Sequence, residues 1–397
     1  MKAPAPRSAY LHIPFCHRRC FYCDFPVVPL GDRADGAAGP GSTSIHTYLA
    51  QLLEEIATSP IGPPLSTVYV GGGTPSLLSP PQVAALLAAL HRRYGLADGA
   101  EITLELDPAG FDQQRLADLL DLGVNRVSFG AQSFDDGVLA GLGRRHRRSH
   151  VLEAADWLEG ARRQGRLRSW SLDLLQGLPG QGPTAWLHQL QQALALEPPH
   201  VSVYDLIIEP GTVFERWLEQ GRLVLPDGDQ AADLLAITAN RLAAAGYGRY
   251  EISNWARPGH ACRHNRVYWS GADWWAFGLG ATSALGGRRL ARPRTREGYR
   301  HWLASGAAAR QAAGDGLPLE DRLLVGLRRR EGVPMNHLAR QYGLGPEALA
   351  RLRARLKTSE EQGLLLVEGG RWRLSDPEGL ALSNGVLREI LNWCAPG

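Results

Sequence analysis

Three cysteines, Cys16, Cys20 and Cys23, fall within eight residues in the string CHRRCFYC, and thiolates spaced this closely bind soft metals. The chain has five cysteines, and the other two, Cys262 and Cys394, lie far along it. An odd count with three packed together is no disulfide framework, and it points to a compartment where thiols stay reduced. Zinc would want a fourth ligand close by. Iron–sulfur cubes normally take four thiolates, so a [4Fe–4S] cluster held by three has one iron that the protein leaves open. The amine and carboxylate of an amino acid can chelate that iron. If the amino acid also carries a sulfonium, an electron from the cluster can break a carbon–sulfur bond. S-adenosylmethionine (SAM) is such a ligand, and a 5′-deoxyadenosyl radical the product. A three-cysteine zinc site is the plainer alternative.

Chemistry of this kind needs a frame that brings distant residues together. Short β-rich segments alternate with amphipathic ones from residue 9 to about 209. Strands are expected near residues 10–14, 67–70, 101–106, 126–129, 169–175 and 200–208. Between them Val83, Leu86, Leu87 and Leu90 recur at helical spacing behind Ser79 and Pro80. Leu116, Leu119 and Leu120 do so before Gly123, and Trp186, Leu187, Leu190 and Leu194 form a third stripe. Repeated strand–helix units imply parallel strands with helical crossovers. Six of them predict an α/β fold, a partial (β/α)6 barrel, since a closed barrel has eight. An open doubly wound sheet fits the same periodicity.

The cysteine string follows the first strand directly, on the side where barrels build their sites. The other strand ends carry groups suited to SAM. After the second come Gly71, Gly72, Gly73 and Thr74, where backbone can approach a ligand closely. The third ends at Glu105, able to accept from the ligand's ammonium, and the fourth leads into Gln132. Asp173 sits among apolar neighbours in the fifth and needs a partner; a ribose hydroxyl or Arg144 would serve. Ile207, past the sixth, offers an apolar wall for adenine. Each has a structural explanation by itself, but five at corresponding ends of successive strands are hard to dismiss.

Beyond the sixth strand the pattern changes. A helix is expected over residues 229–245, an aromatic stretch over 247–285, and a Gly/Ala/Arg-rich linker over 305–316. Residues 31–43 read as a long mobile loop. Helices over 320–329, 335–342 and 346–362 precede a hairpin, 364–367 with 371–374, around Gly369 and Gly370. The predicted organisation is a barrel with its extension over residues 1–305 and a small helical, winged-helix-like unit over 317–392. Among 397 residues, Lys and Arg number 43 against 40 Asp and Glu, a balance too even to argue for nucleic acid or a membrane surface. The basic run at 144–148, Arg144 excepted, and the arginines of the C-terminal helices read as solvated faces. No apolar run approaches a membrane span, and the expected location is the cytoplasm.

In order along the chain, YLHIPFCHRRCFYCDF, YVGGGTPS, ELDP, SFGAQSF, LGRRH, SLDLLQGLPGQ and EISNWARPGH resemble the radical-SAM superfamily, and within it the coproporphyrinogen dehydrogenase-like group. The resemblance runs from about residue 8 to 391. It implies a radical-SAM partial barrel with a small helical C-terminal domain. It also implies a cluster on Cys16, Cys20 and Cys23, flanked by Tyr10 and Tyr22, which contact SAM. Gly72, Gly73, Thr74, Glu105, Gln132, Arg144 and Asp173 would line the SAM site, with Ile207 and Ala284 at its margin.

That group holds two functions. The decarboxylating dehydrogenases carry a further cysteine two residues past the third, and a long N-terminal arm. Here that position is Phe25, and nine residues precede Tyr10. Both departures, and the string HNRVYW beginning at His264, resemble the HemW-type haem chaperones instead. The expected function is a carrier that binds haem and passes it to an acceptor protein, with cluster and SAM as accessory groups. Oxidative decarboxylation of coproporphyrinogen III and a radical reaction on RNA are the alternatives. The expected partners are haem and its acceptor, with no nucleic acid and with membrane contact only through the acceptor. His264, amid Trp255, Tyr268, Trp269, Trp274, Trp275 and Phe277, is the expected haem ligand, with His260 and His12 as lesser candidates. An ordinary aromatic seam enclosing a hydrogen-bonded His264 is the plainer account.

Overall fold

The computed structural model describes residues 5–31 and 42–394, so most of the loop expected over residues 31–43 lies outside the described residues. Strands form at all six expected places: β1 (Ser8–Ile13), β2 (Leu65–Gly72), β3 (Leu96–Leu106), β4 (Arg126–Gln132), β5 (Ser169–Gln176) and β6 (His200–Asp205). They lie side by side in chain order, every pair parallel. Helices α1 (Thr43–Thr58), α2 (Pro80–Tyr94), α3 (Gln113–Asp121), α4 (Arg148–Arg163) and α5 (Pro183–Ala195) make the crossovers. The fold is a partial (β/α)6 barrel.

Side chains alternate across each strand. The outward ones, among them Leu11, Val70, Leu104, Phe129, Leu172 and Val203, are apolar and buried. They pack under the helical stripes, so Val83, Leu86, Leu87 and Leu90 of α2 are all buried. The inward ones are polar: Thr67 and Tyr69, Glu101 and Thr103, Arg126 and Ser128, Ser169 and Ser171, His200 and Ser202. A closed barrel fills its interior with branched aliphatics. This one holds hydrogen bonds instead, such as Ser171 Oγ to His200 Nδ1 at 2.8 Å and His200 Nε2 to Tyr250 OH at 2.8 Å. An interior of that kind leaves room for a polar ligand above it.

Three short strands extend the sheet. Trp275–Phe277 runs parallel beside β1, while Asn254–Ala256 pairs antiparallel with β6 and Gly248–Glu251 pairs antiparallel with Asn254–Ala256. Segments of three or four residues are too short for alternation to register, so the aromatic stretch hides them. The new β1 edge is clamped by a buried ion pair, Glu55 of α1 to Arg292 at 2.8 Å, both fully buried. Glu55 also accepts from Gly278 N–H at 2.7 Å and Tyr299 OH at 2.6 Å, which satisfies the carboxylate where water cannot.

The C-terminal unit has its own core of Leu323, Leu327, Leu338, Leu352, Trp372 and Ile390. Its hairpin, Leu365–Glu368 with Arg371–Leu374, turns at Gly369 and Gly370, whose φ values of +57° and +76° suit a primed turn. The helix expected over 346–362 breaks at the fully buried Leu356 into Pro346–Arg355 and Lys357–Glu361. The expected linker is pinned: Gly314 and Gly316 N–H donate to Leu285 and Gly286 carbonyls at 2.9 Å. Arg249 pairs with Asp376 at 2.9 Å across the two units. Two C-terminal arginines are paired as well, Arg353 with Glu360 and Arg355 with Glu389.

Candidate functional site

A cavity of about 770 Å³ opens over the C-terminal ends of the six strands. Its wall includes Cys16, Cys20 and Cys23, and also Tyr22, Gly72, Gly73, Thr74, Glu105, Gln132, Arg144, Asp173 and Ile207. Residues drawn from six strand ends and separated by up to 191 positions thus meet in one place.

The three thiols sit at the mouth. Burial pushes the Cys16 thiol up to about 12, with a hydroxyl hydrogen bond from Thr74 at 3.5 Å acting the other way and Cys20 and Cys23 raising it further. Arg144 Nη1 donates to Cys20 Sγ at 3.6 Å. The thiols therefore feel one another, yet no three Cys, His, Asp or Glu side chains among the described residues converge as on a single ion. The donor set, all sulfur with a guanidinium beside it, fits a [4Fe–4S] cluster with one iron left open.

Below the thiols lie the carboxylates. Glu105 accepts from Tyr69 OH at 2.8 Å and Gly72 N–H at 2.9 Å. Burial raises its pKa to about 7; those two hydrogen bonds oppose the rise and Asp173 adds to it. Asp173 accepts from Ser128 and Ser171 hydroxyls at 2.9 and 2.8 Å, and burial raises it as well. Gln132, at the rim, has φ +64°, a left-handed backbone rare outside glycine and found most often at sites of function. Ile207 is exposed at the cavity edge. Groups able to receive an ammonium, hydroxyls and an adenine ring line one wall, and this arrangement fits SAM.

The structure departs from the sequence reading at five points. Arg144 pairs with Asp107, not Asp173, at 2.7 Å. Burial would raise the Asp107 carboxyl, but Arg144 and His146 hold it well below its usual range. Gly73 is filled by protein: an added Cβ would lie 2.7 Å from Phe15 O and 2.8 Å from Cys16 Sγ. Tyr10 borders a separate, smaller cavity, stacking on Tyr69 at 6.1 Å. Ala284 lines neither; it is buried in an apolar cluster with Tyr10 and pairs with the Trp274 backbone. Most consequentially, His264 is fully buried, with Nδ1 on Thr67 Oγ1 and Nε2 on Tyr268 OH, both at 2.8 Å. Burial lowers its pKa to about 3. Both ring nitrogens are taken, so His264 does not fit a haem iron.

Of the lesser candidates, His12 is held at both ring nitrogens, between Tyr10 OH at 3.0 Å and the Pro26 carbonyl at 3.1 Å, while His260 has its Nδ1 on Ser169 at 3.1 Å. Cys262 is buried, capping the helix Arg263–Ser270 beside Glu101. The sequence reading passes over Tyr69, Asp107 and Tyr204, which also line the larger cavity. Alternation was the available signal, since Asp107 is two residues past Glu105 and Tyr69 two before Gly71. One prediction follows for His264. Its replacement by Ala strands two buried hydroxyls and opens a cavity, and should cost about 2–4 kcal/mol of stability in denaturant titration. Added haem should give a Soret band at the parent's wavelength, and a displaced band would restore His264 as ligand.

The model for the radical SAM superfamily matches residues 10–183, and that for the HemN C-terminal domain matches residues 318–381. Coproporphyrinogen III oxidase (HemN) of Escherichia coli superposes with a TM-score of 0.79 over 97% of this chain and 90% of its own, at 23% identity, and shares the fold. Barrel, cavity and match together define a radical-SAM protein. The heme chaperone HemW of Synechocystis sp. is 39% identical over 97% of this chain and 96% of its own length. Its Bacillus subtilis counterpart is 34% identical over 90% and 92%. The chain belongs to the HemW haem-chaperone family. No helix among the described residues is long and apolar enough to cross a membrane.

Proposed function

We propose that the protein is a cytoplasmic haem carrier, which holds a [4Fe–4S] cluster on Cys16, Cys20 and Cys23, binds SAM beneath it, and passes haem to an acceptor protein. The observation that carries this reading is near-full-length similarity to relatives named heme chaperone, on a chain whose cavity gathers three thiols over a polar floor. The cluster, when bound, would supply an open iron and an electron. The protein's own residues do the rest. Glu105 receives the ligand's ammonium, Asp173 a ribose hydroxyl, Ile207 covers adenine, and Arg144, anchored on Asp107, keeps positive charge beside the thiolates. Phe25 stands where the decarboxylating relatives carry a further cysteine, which speaks for carrying over turnover. A haem titration beside a porphyrinogen turnover assay tests the reading. A Soret band without turnover is expected, and turnover would overturn it.

SAM binding should carry a pH signature. Glu105, with a pKa of about 7, is partly protonated near neutrality, and an ammonium needs the carboxylate. Below that pH, binding must therefore expel a proton, and affinity should fall by up to about tenfold per unit. Calorimetry at pH 6 in two buffers of different ionisation enthalpy reads this directly. Glu105→Gln should abolish the buffer dependence along with most of the affinity. Absence of proton release by the parent would remove Glu105 from the ammonium site.

A further inference from the structure

A second cavity, of about 430 Å³, lies across residues 24–26 from the first, and Asp24 and Phe25 border both. Tyr268 and Trp274 give it an aromatic wall, packed edge-to-face at 4.7 Å, and Pro26 and Ala281 add apolar floor. Gly280 makes this floor possible, since a Cβ there would lie 2.3 Å from Pro26. Phe25, a large apolar side chain, is half exposed at the lip.

The two cavities differ in charge. The larger is bordered by six carboxylates, Asp24, Glu105, Asp107, Asp173, Asp205 and Glu209, against four arginines, Arg18, Arg19, Arg144 and Arg145, with Arg144 tied to Asp107. That excess of acid suits a ligand with a sulfonium and an ammonium. Bordering the smaller are one acid, Asp24, and Arg294, which donates to the Asp24 carbonyl and lies 3.8 Å from its carboxylate. Arg289 sets its guanidinium 4.5 Å from the Trp274 ring centroid and meets no carboxylate among the described residues. An apolar slot with aromatic walls and two cations at its edge matches a flat ring bearing two carboxylates.

We propose that this smaller cavity is the haem seat, with the ring against Trp274 and Tyr268 under Phe25, and the two carboxylates at Arg289 and Arg294. The assignment rests on the haem-carrier reading above. It also gives His264 a role without iron: its Nε2 holds the Tyr268 hydroxyl, and so the wall, in place. His264 is a positioning residue.

The test is a titration of the full, anaerobically reconstituted chain with haemin, and in parallel with haemin dimethyl ester, whose carboxylates are masked. Arg289→Glu with Arg294→Glu, both exposed positions, should weaken haemin by at least about tenfold while ester affinity, SAM affinity and iron content hold. Phe25→Ser should weaken haemin and ester alike. Parent-like haemin binding by either folded variant would overturn the cavity assignment while leaving the carrier reading intact. Failure of the parent to bind haemin would overturn both.

Discussion

Replacing Cys20 with Ala should take the anaerobically reconstituted protein from about four irons per chain to essentially none. The structure says why the loss should be all-or-none. Two thiols remain, one on either side of the vacated position, and a cube with two open irons has no hold on this loop. The guanidinium of Arg144, now beside Cys20 Sγ, would face an empty wall instead of a thiolate. Cys262→Ala should keep the full complement, since that thiol is buried beside Glu101, midway along β3, and does not line the cavity that holds the three clustered thiols. Cys394→Ala should as well, because Cys394 packs on the C-terminal core. Iron and sulfide analysis decides the matter, and a full cluster in Cys20→Ala would sink the three-cysteine assignment.

Gly73→Val should lose the cluster and SAM together. A glycine triplet after a strand invites the reading that only the ligand needs the space, in which case the cluster would survive the change. The geometry gives a different result. The added Cβ would lie 2.7 Å from the Phe15 carbonyl and 2.8 Å from Cys16 Sγ, closer than real side-chain carbons come to backbone. Relief requires moving the strand end that carries Cys16. Iron should fall below about one per chain, while far-ultraviolet circular dichroism stays near the parent's because the packed outer face of β2 is untouched. A variant that keeps four irons and loses only SAM would show that the loop yields more readily than its packing implies.

Much of this molecule was legible in its residues, and the limits follow from physical range. Helical stripes such as Val83, Leu86, Leu87 and Leu90 are local patterns, and they stand where periodicity puts them. The site residues at the ends of β2 to β5 were legible because strand direction forces them to one rim. What failed was long-range pairing. Arg144 has six carboxylates around the same cavity, and only three-dimensional packing selects Asp107. His264 reads as a ligand through the resemblance of the string HNRVYW, but its partners Thr67 and Tyr268 include one 197 residues away. Tyr10 and Ala284 depend on the strand Trp275–Phe277, which pairs with β1 from the far side of the chain.

Residues 24–26 stand between two cavities, the one proposed for SAM and the one proposed for haem, and begin one position after Cys23. A shared partition makes the two ligands thermodynamically reciprocal. Whatever factor SAM applies to the affinity for haem, by shifting Phe25 or Asp24, haem must apply to the affinity for SAM. Where that factor differs from one, a carrier that has lost its SAM holds haem with a different strength from one that is fully loaded. Measuring one affinity in the presence and absence of the other ligand yields a single coupling constant, obtainable from either direction.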